Sequence, residues 1–441
     1  MGLTTWLREF AVGAPVPLFP AAAPEAGALV DPLRLHPGLR FVDSPRAANV
    51  LLVVGDVSRA AFRPLLAVHD QLSTPRATVW WPLAPGGARL MKLFPGIVRI
   101  ESQPAYAGTV AAVIREVHGA LLRGERESDP AVLPDEDPAP WRGVGPYGHG
   151  GKGMTGGVPY GRPLAGRAPD RDGLELDMLP LRIGPYFPAF PSGLVLDVRL
   201  QGDVVQEARV AAAPVVRHRP PLLDPFRRAL SERVGIAVME EARARHHLRW
   251  FAELLRVHGL PALSERALRL AGGPDLSTRD VVGLRSAIER TRSLAWATRG
   301  VGVVPREVVA GAGLGPVARS AGAVEDARME ESAYVELGFI PVTTTGGDAF
   351  ARWRQRLAEA IQALDLARAA GDLDTGGRGF VESPRGRMTT DADPSAHLAS
   401  LLPDLLAGQE WGDAVATVTS LDIGPLAAQP PGIEAPAQDV A

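Results

Sequence analysis

The chain has no cysteine in 441 residues. No thiolate is therefore available to hold an iron–sulfur cluster or a nickel–iron centre, to close a disulfide or to act as a nucleophile. Lysine is almost missing as well. Lys92 and Lys152 are the only two, and arginine carries the rest of the positive charge, a bias of composition rather than of chemistry. The net charge of −3 supplies no field that would draw a nucleic acid. No apolar run approaches the ~20 residues of a membrane-spanning helix. The apolar N-terminal patch Phe10–Ala23 is broken by Pro15, Pro17 and Pro20 and has no basic leader, so a secretory signal is not expected and the chain reads as cytoplasmic.

What is present suits a globular protein: 46% apolar and 22% charged residues, on a length sufficient for two or three domains. Asn49–Val57 (NVLLVVGDV) has the β-branched, unbroken apolar character of a buried parallel strand. A helix is expected over Ala60–Gln71, strands over Ala77–Trp81 and Ile97–Ile100, and a helix over Tyr106–Arg123 with Val110, Val113, Ile114, Val117 and Leu121 on one face. That alternation predicts a small doubly wound α/β domain over about residues 35–125. Glu125–Pro140 is acidic and proline-rich and Gly143–Gly166 is glycine-rich, together a linker or docking loop. Leu194–Leu200 alternates and turns at Gln201-Gly202-Asp203 into Val204–Val210, a hairpin. Beyond Pro225 the pattern is helical, over Pro225–His258, Thr278–Ala297, Gly347–Ala370 and Ala396–Leu406. The domain reading is 1–125 α/β, 126–175 linker, 176–428 helical and 429–441 tail.

Few residues suggest chemistry on their own. Gly150-Gly151-Lys152-Gly153-Met154-Thr155 fails the phosphate-loop spacing, because residue 146 is not the required lead glycine but Pro146 and Gly153 follows the lysine; a flexible glycine loop explains it better. Glu240, Arg243 and His247 share one helical face, which could bind a metal or move protons but is more commonly an ion-pair stripe. His246 and His247 point about 100° apart and cannot serve one ion from that helix. Trp80-Trp81 reads as core or interface packing.

The order of short motifs carries more. Ser44-Pro45-Arg46 through Val54-Gly55 resembles the SPRQADLLIVAG segment of the small, cluster-bearing subunit of complex I, and Gly86-Gly87 stands where that family has glycines after a cluster cysteine. Trp81, Pro82 and Leu83 precede that pair, and Gln103-Pro104-Ala105 replaces the family's second cysteine segment. The second half resembles the quinone-site large subunit of complex I (NADH-quinone oxidoreductase), which is related to the large subunit of nickel–iron hydrogenases. Gly184-Pro185 with Pro188 and Ser192-Gly193 is similar to its GPQHPSTHG opening; Glu240, Arg243 and His247-Leu248 to its E..R...HL helix; Arg290-Thr291 and Arg299–Val303 to ERTKGVGV. Gly313–Gly322, with Arg319, is similar to GLTGPVLRASG; Asp326, Arg328, Tyr334 and Arg352 follow in register; Glu382 and Pro384-Arg385-Gly386 resemble EAPRG.

The resemblance implies a flavodoxin-like α/β domain followed by a mainly helical, hydrogenase large-subunit-like domain with a small N-terminal β hairpin, two subunits fused into one chain. It also implies a place among the other subunits of a complex I-like or antiporter-like membrane assembly, peripheral on the inner face of the membrane. The departures fall on functional positions. Phe187, Phe190 and Pro191 occupy the GPQHPSTHG histidine region, and Val257 lies near the place of the aspartate that partners the quinone ligand. No cofactor is expected. A scaffold or coupling subunit is the expectation, with a quinone- or NAD-linked oxidoreductase subunit working through its partners' cofactors as the alternative. Some of the retained polar set Glu240, Arg243, Arg299, Arg319, Asp326 and Arg328 are expected to form a partly buried ion network joining the helical domain.

Overall fold

The computed structural model describes residues 3–23, 26–83, 88–100, 106–134, 166–169, 173–211 and 224–424. The glycine-rich segment around Lys152, Gly86-Gly87, Gln103–Ala105 and the tail 429–441 lie outside them.

Five parallel strands open the chain: β1 (Val16–Ala22), β2 (Leu39–Phe41), β3 (Val50–Val54), β4 (Ala77–Trp81) and β5 (Val98–Arg99). Their order in space is β2-β1-β3-β4-β5, the doubly wound order in which the chain reverses direction beside β1 and β3. The two faces of β3 feed separate cores. Val50, Leu52 and Val54 pack with helices Gly27–Arg34 and Ala107–Arg123, while Leu51 and Val53 pack with helix Phe62–Asp70. A strand buried on both sides needs apolar residues at every position, as VLLVV has.

β1 was hidden by its prolines. Its even residues bond toward β2 (Val16 N–H to Gly38 O, Val42 N–H to Leu18 O) and its odd residues toward β3 (Asn49 N–H to Pro17 O). Pro17 would donate toward β3 ahead of the first pair, Leu18 with Val50; Pro20 would donate toward β2 beyond the last pair, Leu18 with Phe41. Each missing N–H falls where the neighbouring strand is absent, so a proline-containing segment becomes an inner strand.

The expected hairpin is part of a four-stranded antiparallel sheet: β6 (Gly166–Pro169), β7 (Glu175–Ile183), β8 (Leu196–Gln201) and β9 (Val204–Val210). β7 has Leu176 and Met178 on one face and Leu179 and Leu181 on the other, so the alternation that betrays a half-buried strand is missing. Residues 126–134, read from sequence as the start of a linker, lie against the α/β sheet. Asp129 accepts from Thr78 N–H at 2.8 Å, and Asp70 from the N–H groups of Val132 and Leu133.

The helical half is built on Ile236–Val257, Pro261–Gly272, Thr278–Thr291 and Ala349–Ala369, which share a core including Phe251, Leu255, Leu284, Trp353 and Leu357. A second core joins β8 and β9 to the C-terminal helix Trp411–Leu421. A short antiparallel hairpin, β10 (Phe380–Ser383) and β11 (Gly386–Thr389), packs beside helices Pro225–Arg228 and Gly315–Ser320. The α/β half meets this body through charge and packing. Arg249 lies 3.4 Å from Asp31, Arg34 3.6 Å from Glu253, Arg256 bonds Asp43, and Leu35 reaches the helical core. No helix among the described residues is long and apolar enough to cross a membrane.

Candidate functional site

Helix Ala349–Ala369 turns Arg352, Arg356 and Glu359 inward, positions where a packing helix would ordinarily place aliphatic residues. All three are buried, as are Glu240, Arg243 and His247 on the facing helix Ile236–Val257. Buried charges persist only when paired and hydrogen-bonded, and two loops supply the partners. Gly313–Gly315 runs against Arg385-Gly386 so closely that a Cβ on Gly315, whose φ is +52°, would lie 2.5 Å from Gly386 Cα. Only glycine allows that approach. It brings Arg319, at the end of helix Gly315–Ser320, onto Glu382 of β10.

Arg319 is the centre. Its Nε and Nη2 bond the two oxygens of Glu359 at 2.8 and 3.1 Å; its Nη1 lies 2.8 Å from both Asp326 Oδ2 and Glu382 Oε1. Asp326 caps the short 3₁₀ turn Ala327–Glu330 and takes a two-point contact from Arg328. Arg328 bonds Glu240 at 3.1 Å; Glu240 also accepts from Arg243 and from the Tyr334 hydroxyl at 2.6 Å. Arg243 closes the circuit by donating to the Glu382 carbonyl. Arg299 is outside it. It is exposed, with its guanidinium 4.7 Å above the Phe350 ring, so that member of the expected set is not part of the network.

A second centre adjoins. Asp422, after the last turn of the C-terminal helix, bonds His246 at 2.7 Å, accepts from Arg385 at 3.3 Å and pairs with Arg356 Nη1 2.9 Å away. Arg356 sits over Trp250, its guanidinium carbon 4.6 Å from the ring centre, and its Nη1 is 3.4 Å from His247 Nδ1. His247 Nε2 stands 3.5 Å from Glu359, linking the two centres. Arg352 bonds the Ser420 hydroxyl and the carbonyls of Gly302 and Gly347.

Titration follows this layout. Burial pulls Arg319 down, but Asp326, Glu359 and Glu382 outweigh it and hold its pKa well above the ordinary value. Burial pushes Asp326 up, yet Arg319 and Arg328 hold it down at about 2; Glu359 is likewise held well below its usual range against burial, first by Arg319. Glu382 goes the other way, raised by burial and by the neighbouring Asp326. Burial drives His247 to about 3, so it is neutral. Asp422 is lowered despite burial, chiefly by Arg385 and His246.

The positions expected to mark a lost quinone site form a separate, apolar group. Phe187 and Phe190 meet edge to face at 4.8 Å, and both lie 6.0 Å from Trp411. Val257 packs on the same core, and Pro191 starts the turn that leads to Leu194. Between the two phenylalanines, the Ala189 carbonyl accepts from Thr419, whose own carbonyl accepts from Trp250 Nε1. The aromatic group is thus one helix away from Arg356. Tyr186 packs on the α/β core and the Pro188 carbonyl accepts from Arg256, so residues 186–190 sit at the junction of the two halves.

Sequence reading did not single out Glu359, Arg356, His246 or Asp422 as site residues. A helix whose inward stripe is Arg352-x-x-x-Arg356-x-x-Glu359 was the available signal.

Fold and site define a chain with an α/β N-terminal region on a parallel sheet followed by a mainly helical region whose core holds an ion network. Residues 278–402 match the family model described as "Respiratory-chain NADH dehydrogenase, 49 Kd subunit". That stretch contains Arg319, Asp326, Arg328, Arg356, Glu359 and Glu382. No curated protein matches the chain. Among solved structures it is similar to a chain of the membrane-bound sulfane sulfur reductase, described as an archaeal respiratory membrane complex, at 19% identity and a TM-score of 0.39, over 56% of this chain and 96% of that one.

Proposed function

We propose that this chain is a core subunit of a complex I-like or hydrogenase-like membrane-associated assembly, with a scaffold or coupling role and no thiolate-held centre of its own. The family match over residues 278–402 supports the assignment to such a complex. The role rests on one observation: the carboxylates of the buried network meet through guanidinium groups. Asp326, Glu359 and Glu382 meet on Arg319, and Asp326 and Glu240 on Arg328. A guanidinium keeps its proton under all physiological conditions, so such links fix positions and do not pass protons. The one imidazole between them, His247, is held neutral.

In this reading the α/β half (1–125) descends from the cluster-bearing small subunit, and the helical half (176–428) from the quinone-site, hydrogenase-like large subunit. Phe187 and Phe190 place aromatic bulk where that family has polar ligands. The partners are the other subunits of the complex, antiporter-like membrane subunits among them, and the chain lies on the inner membrane face. Purification of tagged protein from membranes of its own host tests this. Stoichiometric membrane-embedded partners are expected, with no stoichiometric iron or nickel on this chain after dissociation. Recovery alone from the soluble fraction, or several irons per chain, would overturn it.

A further inference from the structure

Helices Thr278–Thr291 and Ala349–Ala369 lie side by side, and at their outer edge a cavity of about 190 Å³ is lined by Arg285, Glu289, Thr344, Arg354 and Ala358. Each helix contributes a guanidinium and, one turn later, a second lining residue, since 285 and 289 and likewise 354 and 358 are spaced i,i+4. We propose that this cavity binds a small ligand carrying a phosphate-type oxyanion, gripped between Arg285 and Arg354.

Three features support it. Arg285 is weakly paired: its nearest carboxylate, Glu289, is 3.8 Å away, beyond hydrogen-bond reach. Arg354 has no carboxylate partner among the described residues. Its guanidinium is braced 5.4 Å over the Phe350 ring, which steadies its plane. The lining carries two guanidinium groups against one carboxylate, and forked guanidinium donors suit oxyanions.

Thr344 sharpens the ligand class. Its hydroxyl donates to Gln355 Oε1 at 3.2 Å or to the Ala351 carbonyl at 3.4 Å, and in either orientation its lone pairs remain for a donor in the cavity. An accepting hydroxyl beside two cationic donors fits a group bearing both O⁻ and O–H, as monoprotonated phosphate or a phosphomonoester does and a plain carboxylate does not. The same Gln355 donates to Glu359 at 2.7 Å, so the cavity is two hydrogen bonds from the buried network.

The test is titration calorimetry and thermal unfolding of the full chain with inorganic phosphate, with ionic strength held constant by chloride. Saturable binding at about millimolar phosphate is expected, weakened about tenfold by Arg285→Gln or Arg354→Gln, the loss of one charge-assisted contact. Arg368→Gln, an exposed residue on the same helix, should leave it unchanged. Absence of saturable binding, or binding in the cavity variants as tight as in the unchanged chain, overturns the proposal. Flotation with vesicles containing phosphatidic acid separates the sources: arginine-dependent capture identifies a lipid headgroup, and phosphate binding without capture identifies a soluble phosphate ligand.

Discussion

Replacing Arg319 by methionine keeps most of the side-chain volume and removes the charge on which three buried carboxylates meet. The survivors are not equally exposed to the loss. Asp326 keeps both contacts from Arg328, and Glu359 keeps Gln355 Nε2 at 2.7 Å. Glu382 loses the guanidinium on Oε1 and keeps the Ala327 N–H on Oε2. Removing one partner from a buried ion cluster costs about 3–5 kcal/mol, which in a folding unit of this size lowers the melting temperature by roughly 10 °C. The pH dependence gives the sharper check. In the wild type, Asp326 and Glu359 have native pKa values below their unfolded ones. Their contribution is therefore full above about pH 4–5 and is lost as pH falls through the native values. Without Arg319 the carboxylates take up protons more readily, so the deficit of Arg319→Met is full at pH 7 and shrinks toward about pH 4.5. Adding Glu359→Gln should restore part of the loss, a less-than-additive double mutant. Urea unfolding at several pH values measures all three quantities. A deficit under about 1 kcal/mol at pH 7, or one that does not change with pH, refutes the reasoning.

Asp31, at the junction of the two halves, is pushed up to about 7 by burial and by Glu253, against Arg249 and Arg34. A raised carboxyl binds its proton more tightly in the native state, so stability falls as pH rises from about 4 to about 7; Asp31→Asn should abolish that slope and gain at most about 4 kcal/mol at pH 8, and an unchanged slope would contradict the assignment. Phe190→Ala should cost about 3–5 kcal/mol and alter the near-ultraviolet dichroism of Trp411, 6.0 Å away; a loss under about 1 kcal/mol would mean that the aromatic group is not tightly packed.

Why the helical half coheres also bears on what it can do. Its core combines an ordinary apolar cluster around Phe251 and Trp353 with a layer of paired charges on the same helices. Replacing such a layer by apolar residues often costs nothing in stability. Its benefit is directional: Arg319 ties Glu382 of β10 to Glu359 of the long helix, and Arg328 ties the 326–330 turn to Glu240.

The exclusion of thiolate chemistry was legible in the residues alone, because it needs only a count. So were β3 and β4, whose unbroken apolar runs are what burial on two faces demands, and the shared face of Glu240, Arg243 and His247, which follows from helical period. The ordered motifs from Arg290 to Gly386 pointed to the family that matches residues 278–402. Other features had no local signature. Pro17 and Pro20 argue against an inner strand until the ends of β2 and β3 are known, and β7, apolar on both faces, lacks alternation. Arg299 and Arg319 look alike in a motif list, yet one is exposed over the half-buried Phe350 ring and the other is enclosed by carboxylates 40 and 63 residues further on and by Asp326. Period and propensity report which way a side chain points along its own element. Which charge it meets is decided by how distant elements cross, and only the tertiary structure holds that.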